Sequence, residues 1–298
     1  MKRINVLIST YNGASYIEEQ ITSIETQTYP NIHIYVRDDG STDSTPNILA
    51  DMEVAGRITL LSGPNLGFGR SFMTLLSETP TGDYWAFCDQ DDVWLPDKLK
   101  WAVEWLDTQD PTIPAMFHSA YYLTDEELHV EGSYLPPAKP YTFQKAITEV
   151  LHMGFSSVIN SAMRDYMLRG EISNITSHDH WAELIIMKYG NVYFDSREAS
   201  YHRRLTYSLS GSSMKARLRW LKGALKGDSE ILPAAREFLR VFGDAAEITD
   251  ADFKILSWFC SERYSFIYAL KKCLYHKRWR TSFSSELVVR FLMLIGKI

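Results

Sequence analysis

The sequence predicts an α/β protein built on a mostly parallel sheet, and three observations carry that prediction. Short apolar runs rich in branched or aromatic residues recur at Arg3–Ser9, Ile32–Val36, Ile58–Leu61 and Tyr84–Cys88. The segments between them have helical spacing, and each run ends in polar, loop-forming residues. Four such alternations in under a hundred residues imply crossover connections, with helices on both faces of the sheet.

The elements follow in order. Arg3–Ser9 reads as a buried strand that stops at the glycine-containing stretch TYNGAS. Tyr16–Gln27 carries Ile17, Ile21 and Ile24 on one helical face. Ile32–Val36 is the second strand, ending at RDDGSTDST; Pro46–Glu53 is helical, and Ile58–Leu61 is the third strand. Gly69–Glu78 is a helix, and Tyr84–Cys88 is a fourth strand running into DQDDVW. Beyond this point the pattern loosens. Phe117–Leu123 reads as a strand, Gly132–Tyr141 as a Pro-rich loop, Phe143–Leu151 and Trp181–Tyr189 as helices, and Val192–Phe194 as a short strand. From about Lys215 onward only amphipathic helices are expected. A soft boundary therefore falls near 212–216, dividing a body (1–214) from a helical region (215–298).

Composition narrows the function classes. With 45% hydrophobic and 23% charged residues, the 298-residue chain is neither disordered nor fibrous. Three scattered cysteines (Cys88, Cys260, Cys273) suit a reducing compartment better than a disulfide framework or a zinc site. No cleavable leader is expected from MKRINVLISTYNG, and no apolar stretch reaches the ~18–20 residues of a membrane span. The net charge of −6 divides into −13 for the first 214 residues and +7 for the rest. An acidic body argues against nucleic-acid binding and suits a cation-using site; a basic tail suits an anionic surface.

Three polar clusters stand at predicted strand ends, where ligands of open α/β sheets bind. Asp89-Gln90-Asp91-Asp92 places three carboxylates within four residues. Their repulsion is relieved either by full solvation in a helix-capping turn or by a hard divalent cation such as Mg²⁺ or Mn²⁺. Asp38-Asp39-Gly40-Ser41-Thr42-Asp43 is a turn and cap, or a carboxylate set for a nucleobase or ribose. Asn65-Leu66-Gly67-Phe68-Gly69-Arg70 is a glycine turn with a surface arginine, or a loop bringing a guanidinium to a nucleotide.

Taken in order, ISTYNGASYIEEQITSIETQTYPNIHIYVRDDGSTDST, NLGFGRS and FCDQDDVWLPDKL resemble glycosyltransferase family 2, with its Rossmann-like GT-A fold, over roughly residues 1–215. DQDDVWLPDKL together with the later HDHW is most similar to bacterial rhamnosyltransferases of O-antigen and cell-wall polysaccharides. The resemblance implies that Thr10, Tyr11 and Asp39 hold the nucleobase and ribose of a sugar nucleotide, and that Arg70 reaches the base. Asp89 and Asp91 take the places of the family's DXD pair, Asp89 towards the ribose and Asp91 on the metal bridging the diphosphate, with Asp92 assisting. It implies that Asp179, in Ser177-His178-Asp179-His180-Trp181, is the general base, although a plain helix cap is the alternative. Trp181 then offers a flat face to an acceptor sugar or serves as a core anchor, and Gly154–Asn160 lines the acceptor side. The chain departs from the family where a histidine usually completes the metal shell: Leu205 stands there, and His202 is the nearest imidazole. The pair Arg203-Arg204 is an alternative means of neutralising the diphosphate.

The implied activity is an inverting, metal-dependent transfer of a sugar to a lipid-linked or oligosaccharide acceptor. L-rhamnose from dTDP-rhamnose is the expected donor, with a UDP-hexose or UDP-N-acetylhexosamine as the alternative. A non-catalytic sugar-nucleotide-binding scaffold is the reading from a different class. A cytoplasmic location is expected, peripheral on the inner face of the cell membrane through the basic helical region, which could equally build a homo-oligomer.

Overall fold

The computed structural model describes residues 1–135, 141–205, 222–223, 225–226, 231–243, 250–261 and 264–298. The anticipated alternation is present: β1 (Ile4–Thr10), α1 (Ile17–Glu25), β2 (Ile32–Asp38), α2 (Thr45–Val54), β3 (Thr59–Ser62), α3 (Phe68–Glu78) and β4 (Tyr84–Cys88). After these come β5 (Val93–Trp94), α4 (Lys98–Leu106), β6 (Ala115–Thr124), β7 (Val130–Tyr134), α5 (Phe143–Ala146), β8 (Ser157–Asn160), α6 (Ser161–Met167), α7 (His178–Tyr189) and β9 (Asn191–Arg203). Four further helices are described beyond the sheet: α8 (Ile231–Phe242), α9 (Ala251–Ser257), α10 (Phe266–Cys273) and α11 (Phe283–Leu294).

Among the described residues, nine strands join one sheet in the order β3-β2-β1-β4-β8-β6-β9-β5, with β7 beside β6. The first four strands are parallel, as their crossover helices demand. β8 then runs antiparallel between β4 and β6, and β9 lies parallel to β6. In β1 the two-residue period is visible in the cores. Ile4, Val6 and Ile8 join the cluster under α1, α2 and α4, whereas Leu7 joins the cluster under α3 and α7. The sheet is therefore covered on both faces, as an α/β arrangement requires.

Three expectations from the sequence are corrected. Val130–Tyr134 is a strand paired with Tyr121–Thr124, so the expected loop over Gly132–Tyr141 is strand at its start; residues 136–140 lie outside the described chain. Its alternation is weak and both faces are polar or half-exposed, which hid it. Val192–Phe194 is only the start of a 13-residue strand, β9, whose polar half is read as strand once it is seen between β6 and β5. Trp181 is fully buried: its indole N–H donates to the Met167 carbonyl at 2.9 Å, and its ring lies against Phe238 and Phe242 of α8. It is the core anchor of the two readings and offers no face to a sugar.

The boundary near 212–216 and most of the basic run after it lie outside the described residues. The helices beyond it share a core with the body, where Phe238, Phe242, Phe253 and Trp279 belong to the same apolar cluster as Phe143, Trp181 and Ile185. Glu237 of α8 accepts from the Glu171 N–H at 2.7 Å and from Asn174 Nδ2 at 2.9 Å, just ahead of α7.

Trp181→Ala should destabilise the whole chain by about 3–5 kcal/mol, the usual loss for emptying a buried aromatic site. Guanidinium unfolding followed by circular dichroism reads this directly. A loss below about 1 kcal/mol would mean that α8 does not pack on the body.

Candidate active site

The site begins where β4 ends. Its five residues are all buried, so the chain emerges from the sheet at Asp89 with carboxylates crowded at the rim. β5 then pairs antiparallel with β9, matching Val93 to Tyr201 and Trp94 to Ser200. One step along that register brings Asp92 to His202. His202 Nδ1 lies 2.9 Å from Asp92 Oδ1, and Asp89, Asp92 and His202 present ligand atoms all within 4.8 Å of one another. His202 is thus the imidazole that reaches the carboxylates, and Leu205 is a buried apolar residue. Asp91 is half-buried and falls outside this converging set.

The electrostatics show how costly the cluster is. Burial and the neighbouring Asp92 and Asp91 hold the Asp89 carboxyl well above the usual carboxylate range. Burial and Asp92 push Asp91 up to about 6. Burial opposes charge on His202, but Asp92, with Asp89 and Asp91 behind it, raises its pKa to about 9. Asp92 Oδ2 is buried and has no hydrogen-bond partner. An orphaned carboxylate oxygen, a second carboxylate and an imidazole form an O,O,N donor set that suits Mn²⁺ or Mg²⁺, so the residues fit the implied cation.

Of the arginine pair, Arg203 has no guanidinium to spare. Arg203 is buried, with its guanidinium engaged by Glu19, by the Asp91 carbonyl at 2.9 Å and by the Glu126 carbonyl. Arg204 is paired with Glu131. Arg203 is committed within the protein, whereas Arg204 is held only by an exposed surface pair.

The donor-side residues gather at the ends of β1, β2 and β3. The hydroxyl of buried Thr10 and the N–H of exposed Tyr11 both donate to Gln90 Oε1, at 2.6 and 2.9 Å, so the middle residue of the acidic motif laces β1 to β4. Asp39 is almost wholly buried. It accepts from Arg37 and from the Leu66 and Gly67 N–H groups, each at 2.9 Å. In this structure it braces the loop ahead of Arg70 instead of facing solvent. Arg70, in the first turn of α3, keeps a buried Nε without a partner and so has a donor available.

Across from these stands the N-terminus of α7. Ser177 caps the helix, accepting from the His180 N–H at 3.3 Å, so Asp179 is a first-turn residue and not the cap. The helix N-terminus favours a carboxylate there. Asp179 Oδ1 lies 2.7 Å from His178 Nε2, in a contact too poorly aligned to count as a hydrogen bond. His178 is buried against Phe72 and Phe87, with ring centroids 4.3 and 5.1 Å away. Gly154 makes room for the pair: a Cβ there would sit 2.3 Å from Asp179 Oδ1 and 2.4 Å from His178 Nε2. Gly69 likewise packs on the segment before α7, where a Cβ would fall 2.2 Å from the Thr176 carbonyl.

The 3-10 turn Gly154–Ser156 joins the two halves of the site. Gly154 meets Asp179, while the next ring, Phe155, stacks on His202 at 4.3 Å and 5°. Beneath it Lys98 is fully buried; its ammonium donates to the Phe155 carbonyl at 2.8 Å and lies 4.3 Å from the Trp94 ring centroid. Tyr121 packs edge-on against both Phe155 and His202. Gln90 falls inside the acidic motif and Phe155 inside the segment Gly154–Asn160, but neither contact is readable from sequence, and Tyr121 carries no marking as a site residue. Lys98, the cation of the motif DQDDVWLPDKL, has a sequence signal as a charge beside an apolar helical stripe. Of the remaining histidines, His152 pairs with Glu183 in the interior at 2.6 Å, and His129 sits with Asp125 and Glu127 on an exposed turn.

Comparison with known proteins bears on the family and the fold. The model of glycosyl transferase family 2 matches residues 5–169, more than half of the chain. An uncharacterised glycosyltransferase of Nostoc sp. is 36% identical over 118 residues, 39% of this chain and 36% of that protein. The dTDP-rhamnosyl transferase RfbG of Shigella flexneri is 33% identical over 145 residues, covering 47% of this chain and 50% of that one. The chain thus spans half or less of the length of these two relatives. Among solved structures, S. aureus TarS 1–349 superposes with a TM-score of 0.58 at 17% identity, covering 99% of this chain and 81% of that one. The mannosyltransferase PcManGT of Pyrobaculum calidifontis, solved with GDP-Man and Mn²⁺, gives 0.53 at 17% identity, covering 99% and 87%. At such identity these structures support the fold: a GT-A sheet flanked by helices.

Two predictions follow from the geometry. In the metal-free protein the raised pKa of His202 means that its pairing with Asp92 stabilises fully below pH 6.5 and is lost as pH rises through about 9. A cation held by Asp89, Asp92 and His202 must displace that proton and the one that burial favours on Asp89. The rise in Tm caused by Mn²⁺ should therefore be larger at pH 8 than at pH 5.5 and should be lost in Asp92→Asn; a shift independent of pH would remove the cluster as the binding site. Separately, Lys98→Met, close in volume, should leave a folded protein whose Gly154–Ser156 turn is no longer fastened. Turnover should fall by about tenfold or more with donor affinity little changed, as read from kcat and the donor KM.

Proposed function

This chain belongs to glycosyl transferase family 2, and we propose that it is an inverting, cation-dependent enzyme that moves L-rhamnose from dTDP-rhamnose to a glycan acceptor in polysaccharide assembly. The observation that carries the reading is the convergence of Asp89, Asp92 and His202 on one side of the Gly154–Ser156 turn with Asp179 on the other. A carboxylate–imidazole donor set beside a separate carboxylate is what a displacement on an activated sugar needs, and no second carboxylate is required as a nucleophile.

In this reading Thr10, Tyr11 and Arg70 orient the nucleotide, with Asp39 holding their loops in place. Asp179 accepts the proton of the acceptor hydroxyl as its oxygen attacks the anomeric carbon. The bond from that carbon to the diphosphate oxygen breaks on the opposite face, giving inversion and free nucleoside diphosphate. Asp89, Asp92 and His202, with Asp91 beside them, would hold a divalent cation, which would supply charge neutralisation for the diphosphate. His178 lies against Asp179 on its inner side, with Nε2 2.7 Å from Oδ1.

The rhamnosyl donor is favoured by likeness to RfbG, named a dTDP-rhamnosyl transferase. A UDP-N-acetylhexosamine donor is the second reading, since TarS has been solved with UDP-GlcNAc on a related fold. We place the enzyme in the cytoplasm, against the inner face of the cell membrane, where a lipid-linked acceptor would present its glycan. No described helix is long and apolar enough to cross a membrane.

Asp179→Asn should leave donor affinity near wild type and cut turnover by roughly 10²-fold or more. Thermal-shift screening of dTDP-rhamnose, UDP-glucose and UDP-GlcNAc with Mn²⁺ identifies the donor, and product analysis then measures turnover. Loss of donor affinity with unchanged turnover would move Asp179 out of the base role.

A further inference from the structure

The C-terminal helices expose apolar side chains to an extent that the body does not. Ten of the nineteen exposed large hydrophobic residues among those described fall between Tyr264 and Ile295. They lie in stripes. On α10 Phe266, Ile267 and Leu270 recur at helical spacing and continue to Leu274; on α11 Phe283, Leu287, Phe291 and Leu294 do the same. The opposite faces are satisfied internally. Ala269 and Lys272 of α10, and Glu286, Val289, Leu292 and Met293 of α11, are buried. The two helices are fastened to each other: Tyr264 donates to the Leu294 carbonyl at 2.8 Å, and Arg290 donates to the carbonyls of Cys273, Tyr275 and Lys277. A rigid helical hairpin thus holds two uncovered apolar stripes, more than a soluble monomer normally leaves in water.

The charge around the stripes is one-sided. Residues 264–298 contain seven Lys and Arg and a single acid, Glu286. That acid is buried and paired with Arg290. The basic cluster is not all available: Lys272 is buried on the Ile298 carbonyl at 2.6 Å, Trp279 is in the core, and Arg280 is half-buried. Lys271, Lys277 and Arg278 remain exposed beside the apolar stripes. The rim is therefore cationic on a chain whose net charge is −6. A second copy of the same face would set cation against cation, whereas an anionic lipid surface accepts both the charge and the apolar stripes.

We infer that the α10–α11 hairpin is a monotopic docking surface for an anionic bilayer, with Phe266, Ile267, Leu287 and Phe291 entering the interface and Lys271, Lys277 and Arg278 meeting the headgroups. This rests on the peripheral placement proposed above and names the surface that makes it. α11, at twelve residues, is about 18 Å long, against roughly 30 Å of hydrocarbon. It lies in the interface and does not span.

The test is flotation of the full chain with phosphatidylcholine vesicles, with and without phosphatidylglycerol. Wild type should float with the anionic vesicles and be released by salt. L287D/F291D changes only exposed side chains, so its circular dichroism and Tm should match wild type while vesicle binding falls by about tenfold or more. Lys271→Gln, Lys277→Gln and Arg278→Gln combined should weaken binding and remove its salt dependence. Absence of flotation with either vesicle overturns the inference, as does equal flotation with neutral and anionic vesicles. So does a concentration-dependent dimer abolished by L287D/F291D without any vesicle binding. No sugar nucleotide enters this experiment: a chain that floats but turns over no donor overturns the proposed reaction alone.

Discussion

The pairing of two residues of β5 with β9 is the constraint on which the site depends. Val93 and Trp94 are held opposite Tyr201 and Ser200, and Leu95 continues the ladder by donating to the Ala199 carbonyl at 2.9 Å. Without that short ladder, Asp92 and His202, 110 positions apart in sequence, have no reason to meet. With it, a carboxylate that would otherwise be buried among like charges acquires a positively charged neighbour. Phe155 closes over the imidazole, and Tyr121 over both rings, so the ladder also fixes where the acceptor-side turn can sit.

The sheet divides its work by strand direction. The parallel half, β3-β2-β1-β4, brings the ends of four strands to one rim, where Thr10, Asp39, Arg70 and Asp89 collect. The mixed half, through β8 and the turn preceding it, carries Gly154 and Phe155 to the same rim from the other direction. Asp179 arrives on a third element, at the start of α7, and only a glycine at 154 and another at 69 let that helix approach so closely. Two separately built surfaces therefore face each other across one turn, and Lys98 holds that turn from below.

The parallel half was almost fully legible in the sequence. Its strands are apolar enough to be read without context, and its site residues lie at their ends, where loop-forming composition marks them. The acidic cluster was legible as a cluster but not in its arrangement, because which carboxylates converge depends on the β5–β9 register, and a two-residue strand leaves no periodic signal. β9 was read as three residues because its outer half alternates imperfectly between two neighbours. Trp181 was ambiguous for a simple reason: a buried indole and a sugar-stacking indole are identical in sequence, and only the arrival of Phe238 and Phe242 from a distant helix separates them. Lys98 and Phe155 act through a backbone carbonyl and a ring face, neither of which has a residue-type signature.

The aromatic seam between α7 and α8 also has an evolutionary consequence. Because Trp181, Phe238 and Phe242 share one core, the C-terminal helices are not an interchangeable appendage. Recombination that exchanged them for the tail of a relative would leave an unfilled space against the helix bearing Asp179, unless the incoming tail supplied rings of matching shape. Drift in the outward stripes of α10 and α11 meets less restriction, since those side chains are largely exposed. The inward and outward faces of the same few helices are thus free to diversify at different rates: the first tied to the catalytic body, the second to whatever surface the lineage inhabits.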